Sequence, residues 1–297
     1  MASWTLASVR PAPANLAAFE RRQSLAARLR GPASASIFTG AILLVCIVLG
    51  TIAAPLLSPF DPAEQRPAER LQGPSVAHPF GTDRQGRDQW SRALHGGRTS
   101  LAAAGVALTL ATTVGVTLGL LAGYSGGLLD SAIMRLVDVV LAFPSFVLGL
   151  VVAALFGPAL MTVVLAATAF WWVGYARVTR GIVLQVRQEP FVLAARAIGA
   201  SPGRIAVREV LPHTFGPVLV MATMDVGSLL MTLSGLSFLG MGAQPPTPEW
   251  GLMLADGKAY FLEAPHLMLF PGLMIFVTVL AVNLLGDGLR RRVTSTR

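Results

Sequence analysis

Six long apolar runs, at residues 37–57, 100–124, 133–156, 159–174, 214–241 and 266–285, alternate along the chain with shorter polar stretches. Each approaches the roughly 20 apolar residues that a helix needs to cross a hydrocarbon core. None has the period-two alternation of a barrel strand, so helices are how these segments satisfy their backbone groups in lipid. The pattern predicts an all-α integral membrane protein with six transmembrane helices. The fourth run is the shortest and has the softest edges. Pro144 lies inside the third and is expected to bend it.

The polar stretches give the organisation: a tail at 1–35, a first span at 36–57, an external segment at 58–98, a core at 99–289 that encloses a basic elbow at 189–212, and a tail at 290–297. Arg10, Arg21, Arg22, Arg28 and Arg30 dominate the first tail, and Arg290, Arg291, Arg292 and Arg297 the last. Positive charge is held on the cytoplasmic side, so both ends are expected there, in agreement with an even number of crossings. The 58–98 segment carries six arginines against five acids, a balance that suits the outside. A polar stretch of 35 residues before a full-length span is not the form of a cleavable secretory signal.

Composition fits the same frame, with 54% hydrophobic and 13% charged residues. The net charge of +8 is what inside-positive loops require, and no nucleic-acid partner is expected. The single cysteine, Cys46, falls in the first span and has no second thiol to pair with. No extramembrane segment is long enough to bury much of a core alone.

Between the fourth and fifth runs lies "FVLAARAIGASPGRIAVREVLP", residues 191–212. Gly199 suits the left-handed position just past a helix end. Ser201 and Pro202 read as the cap and first residue of a second short helix, which Pro212 is expected to stop. Arg204 and Arg208 lie one turn apart on that helix and give it a charged side. The pattern by itself also fits a plain cytoplasmic connector.

Ionisable groups inside spans are costly and point to pairs or pathways. Asp225 lies near the middle of the fifth run, as a pathway-lining group or a hydrogen-bonded structural one. Arg135 and Asp138 are three apart in the third and are expected to pair with each other. Trp171, Trp172 and Tyr175 read as an interfacial anchor at the end of the fourth. His78, His95, His213 and His266 are scattered and suggest no metal site. The only lysine, Lys258, is followed by Ala259, so the Gly-Lys-Ser/Thr of a phosphate loop is missing. An intramembrane serine protease is the alternative, on Gly235-Leu236-Ser237. It needs a base at Ser237's depth, and His213 and His266 sit at span ends.

The elbow resembles the cytoplasmic coupling motif of bacterial ABC importer permeases, with Ala194, Ala195, Gly199, Leu211 and Pro212 at matching spacing. Leu193 stands where that motif usually has an acid, and Glu209 where a hydrophobic residue or histidine is common. "HPFGTDRQGRDQWSRALHGGRTSL" (78–101), "LSFLGMGAQPPTPEWGLML" (236–254) and "FPGLMIFVTVLAVNLLGDGLR" (270–290) are similar to segments of the dipeptide, oligopeptide and nickel permeases. Four motifs in order identify the chain as a member of that family, of its C type.

The resemblance implies a type I importer permease fold in the bacterial cytoplasmic membrane and no enzymatic activity of its own. It implies partners: a B-type permease, two ATP-binding subunits that carry ATP and magnesium, an extracytoplasmic binding protein, and lipid. Ala194, Ala195, Arg196, Gly199, Arg204, Leu211 and Pro212 are the expected contacts to the ATPase. Peptide permeases usually carry acids at the Leu193 and Leu233 positions. This chain lacks both, and its "FVLAAR", "SGLSFLG" and "TPEWG" are more similar to the nickel-type branch; both peptides and nickel chelates are expected cargo.

Overall fold

The computed structural model describes residues 32–294; Arg10, Arg21, Arg22, Arg28, Arg30 and Arg297 lie outside them. Helix α1 (Pro32–Ile52) continues after a break as the short α2 (Ala54–Leu57). An irregular segment with one 3-10 turn (Pro67–Glu69) leads to α3 (Gln89–Ser125). Helices α4 (Gly127–Leu141) and α5 (Ser145–Phe156) follow, then α6 (Leu160–Val186). The elbow is α7 (Pro190–Ala197) and α8 (Pro202–Ile205), the latter widening into a π turn (Ala206–Val210). Helices α9 (Pro212–Phe238), α10 (Trp250–Gly257) and α11 (His266–Thr294) complete the chain.

Five of these helices, α1, α3, α6, α9 and α11, are long and apolar enough to cross a membrane. The third expected span is broken rather than bent: α4 and α5 meet at 91°, and only taken together are they long and apolar enough to count as a sixth candidate span. Pro144 explains the break, because it has no N–H to donate and disfavours helix at Phe143, so the chain leaves the helix and restarts at Ser145.

The fourth span is longer than its apolar run. Helix α6 passes Gly174 and carries Arg177 and Arg180 for three more turns, because Thr179 and Val183 stay buried and both arginines find acids on α4. Tyr175 is correspondingly no interfacial anchor: it is fully enclosed, and Trp172 nearly so.

The bundle is built around the contact of α3 with α6. Gly115, Gly119 and Gly123 recur every fourth residue on α3, and a Cβ on Gly119 would lie 2.5 Å from the Ala176 carbonyl oxygen. Small residues at this spacing let two backbones meet, which is the main source of helix association where lipid removes the hydrophobic drive. Around this seam, Val163 and Val164 of α6, Leu229 and Leu233 of α9, and Trp250 and Met253 of α10 form the largest buried cluster.

Candidate functional site

The elbow stands where the sequence places it, at the end of the bundle where α3 and α6 finish. Gly199 has φ +81°, and the turn around it is a Schellman motif: the Ala200 N–H donates to Ala195 O at 3.1 Å and the Gly199 N–H to Arg196 O at 3.0 Å. Ser201 occupies the cap position of α8 but its side chain accepts no cap hydrogen bond. Pro212 does not stop the second helix. Leu211 keeps helical angles, its N–H reaches back to Ala206 O, and the π turn passes directly into α9 with Pro212 as first residue. A proline is tolerated there because its missing N–H is one the first turn would not use.

One face of the elbow is anchored. Val192, Ile205 and Val210 are buried with Val183 against Tyr124 and Leu120. The other face is open, with Leu193, Ala194, Arg196, Gly199, Arg204 and Arg208 exposed and Ile198 at the tip 86% exposed. It is an apolar knob with a basic surround, fixed in shape by its glycine turn. Beside it Tyr124, Arg187, Gln188, Leu193 and Arg196 line a cavity of about 410 Å³, whose lining has two guanidinium groups and no carboxylate. Arg187 is held by Gly123 O at 2.9 Å, and Arg196 lies 5.8 Å from the centre of the Tyr124 ring.

Within the spans, the expected Arg135–Asp138 pair does not form. Asp138 binds Arg177 of α6 at 2.6 Å, and Arg135 stays exposed with no ion pair among the described residues. The reason is that α4 packs on α6, which offers a guanidinium of better geometry than a neighbour on the same helix. One turn further along α6, Arg180 grips both oxygens of Asp130 at 2.5 and 2.7 Å. Asp225 accepts a hydrogen bond from the Tyr175 hydroxyl at 2.8 Å.

At the opposite end, the 58–98 segment is more ordered than its length suggests. The Arg87 guanidinium bonds Asp83 at 2.6 Å and reaches Asp256 at 3.4 Å. Asp88 caps α3 through Ser91 N and pairs with His78 at 2.8 Å. Glu249 caps α10 and accepts from Ser100 Oγ at 2.9 Å, while the Trp250 indole donates to Ala93 O. Sequence reading missed this network, and the clustering of Gly-Thr-Asp, Gly-Arg-Asp and Ser-Arg just before a span is the signal that could have found it.

Ser237 is buried and its Oγ has no partner among the described residues. His213 lies tilted against the Phe191 ring and His266 lies against Thr82 O, so neither serves as its base. No group of three or more His, Cys, Asp or Glu able to hold a metal occurs among the described residues. Lys258 lies over the Phe238 ring.

The model of the binding-protein-dependent transport system inner membrane component family matches residues 115–295, and that of the N-terminal TM domain of oligopeptide transport permease C matches residues 37–74. The chain is 43% identical to the dipeptide transport system permease protein DppC of Alkalihalophilus pseudofirmus over 251 residues, 84% of this chain and 83% of that one. It is 44% identical to the glutathione transport system permease protein GsiD of Escherichia coli over 253 residues, 85% of this chain and 84% of the relative. Among solved structures, the inward-facing MetNI methionine ABC transporter matches with a TM-score of 0.54 at 18% identity, over 69% of this chain and 96% of that one, a likeness of fold.

Proposed function

Since this chain belongs to the binding-protein-dependent transport system inner membrane component family, in its dipeptide- and oligopeptide-type C branch, and has the type I ABC importer permease fold, we propose that it forms half of an ATP-driven import pathway for short peptides. The other half is a B-type permease. Two ATPase subunits bind ATP and magnesium, and an extracytoplasmic protein delivers the cargo. The family is one of transport subunits, so the chain is no enzyme by itself.

The observation that carries the reading is the elbow. An exposed knob, Leu193 to Arg204, is joined without a break through the π turn to α9 and seated on the ends of α3 and α6. Ala194, Ala195, Arg196, Gly199 and Arg204 contact the ATPase, and Leu211 and Pro212 carry its movement into α9. Closure of the ATPases on ATP then shifts the bundle between two access states by differential binding. The elbow end and both termini are cytoplasmic in this reading, and the 58–98 segment faces the binding protein.

The relatives' names favour a short peptide, dipeptide or glutathione, as the cargo. Uptake of labelled dipeptide, glutathione and nickel in cells with and without the reading frame tests this. Loss of dipeptide or glutathione uptake on deletion supports the reading. Loss of nickel uptake alone replaces the cargo, and no loss of any overturns it.

A further inference from the structure

The Arg177–Asp138 ion pair is short, 2.6 Å, yet both side chains are open, 54% and 65% exposed. Its neighbour Arg180–Asp130 is far more covered. At 1.5 Å per residue, Arg177 lies about 14 Å along α6 from its elbow end and about 26 Å from the other. Asp138 lies about 17 Å along α4 from its elbow end by the same rise. Arg177 lies on a helix long and apolar enough to cross a membrane, three residues past its apolar run, and Asp138 on the first half of the bent α4–α5 pair.

The pair lies on open sides of α4 and α6 that carry further polar residues, with Leu136 and Val139 exposed beside them. On α4, Ser131, Arg135 and Asp138 follow at i, i+4 and i+7 and are all exposed, while Ile133 and Val137 on the far side are buried. On α6, Arg177, Gly181 and Gln185 follow at i, i+4 and i+8, also exposed. Open charges of this kind do not face lipid, where an uncovered charge at depth is strongly disfavoured. Water in a pathway is the environment that fits them.

Building on the transport reading above, we infer that Asp138 and Arg177, with Arg135, form a subsite in the pathway for the charged ends of a zwitterionic short peptide. The ammonium end faces Asp138. The carboxylate faces the guanidinium groups, which present paired donors that match a carboxylate. Because Asp138 and Arg177 already neutralise each other, a passing peptide exchanges one ion pair for others of similar kind. Such an exchange holds the cargo weakly, as passage requires. Arg135 makes no ion pair among the described residues and leaves one positive charge in surplus, which biases the subsite toward the carboxylate end.

The test uses the assembled complex with its partner permease, ATPases and binding protein, in inside-out vesicles. Cys46 is the only cysteine of this chain, so Cys46→Ser gives a background free of its own thiols. Asp138→Cys is made in it, with Arg135→Cys as a second reporter that breaks no pair. Membrane-impermeant methanethiosulfonates, one anionic and one cationic, are added and their attachment to this chain is followed by mass. The expected result is labelling of both variants, faster for the anionic reagent on Asp138→Cys by roughly tenfold, the effect of about one charged contact. Millimolar alanyl-alanine slows the labelling, and the same peptide acetylated and amidated does not. Unreactive thiols in both variants, a faster cationic reagent on Asp138→Cys, or equal protection by the uncharged peptide would overturn the subsite. A wild-type complex that takes up no dipeptide fails the transport reading instead, so the two failures are distinct.

Discussion

Tyr175 on α6 donates its hydroxyl to Asp225 on α9 across 2.8 Å, tying two spans together inside the bundle. Tyr175 is fully enclosed and Asp225 is half-buried. Tyr175→Phe removes the donor and leaves a carboxylate in the span without it, a loss of about 1–3 kcal/mol. The melting temperature of the detergent-purified complex falls accordingly. Asp225→Asn keeps an acceptor for the tyrosine and is expected to cost less.

Arg180→Ala strands Asp130, whose side chain is 16% exposed. Breaking a partly covered two-pronged pair is expected to cost about 1–3 kcal/mol, below the range for fully buried pairs. Thermal unfolding checks this, and the swap Asp130→Arg with Arg180→Asp should recover part of the loss. A swap no better than the single change would mean that the pair contributes nothing.

Gly119→Val is expected to prevent assembly of the bundle, since its Cβ would meet the Ala176 carbonyl oxygen at 2.5 Å and Thr179 Cβ at 2.8 Å. Backbone atoms on α6 have no room to give. Gly50→Ala is the control, with nothing within 4 Å of the added carbon. Protease resistance of the membrane-inserted chain separates the two: Gly119→Val loses it and Gly50→Ala keeps it.

Gly199→Val acts differently, because the added Cβ meets nothing within 4 Å while φ is +81°. The effect is backbone strain, about 1–2 kcal/mol for a side chain held in the left-handed region. The elbow turn opens while the bundle stays folded. The chain should insert normally, but its complex should lose stimulation of ATP hydrolysis by loaded binding protein. Gly199→Asn, which tolerates this conformation better, should keep most of it.

The apolar runs announced the helices, and Gly199 with Ser201-Pro202 announced the elbow, because both rest on local rules of periodicity and backbone preference. What stayed illegible were the partners. Arg135 and Asp138 look paired on one helix, and only the packing of α4 on α6 replaces Arg135 with Arg177, 39 residues from Asp138. Arg177 and Arg180 likewise end the apolar run, yet the helix continues because acids from another element neutralise them. Tyr175 reads as interfacial until Asp225, 50 residues on, is seen to accept its hydrogen bond. The Asp83, Arg87 and Asp88 cluster is legible as a resemblance, but its role in fixing the 58–98 segment needs the 3D contact with Asp256.

That ATP-driven peptide movement passes through the elbow is tested most directly by ATP-dependent uptake of labelled dipeptide into proteoliposomes holding the whole complex, with this chain wild-type or Ala195→Asp. Ala195 lies half-buried where α7 meets the anchoring cluster, so a carboxylate there displaces the knob from its seat on the ends of α3 and α6. The expected result is robust uptake with the wild-type chain, and with the variant a complex that assembles but takes up no dipeptide. Full uptake by the variant would contradict the coupling role of the elbow.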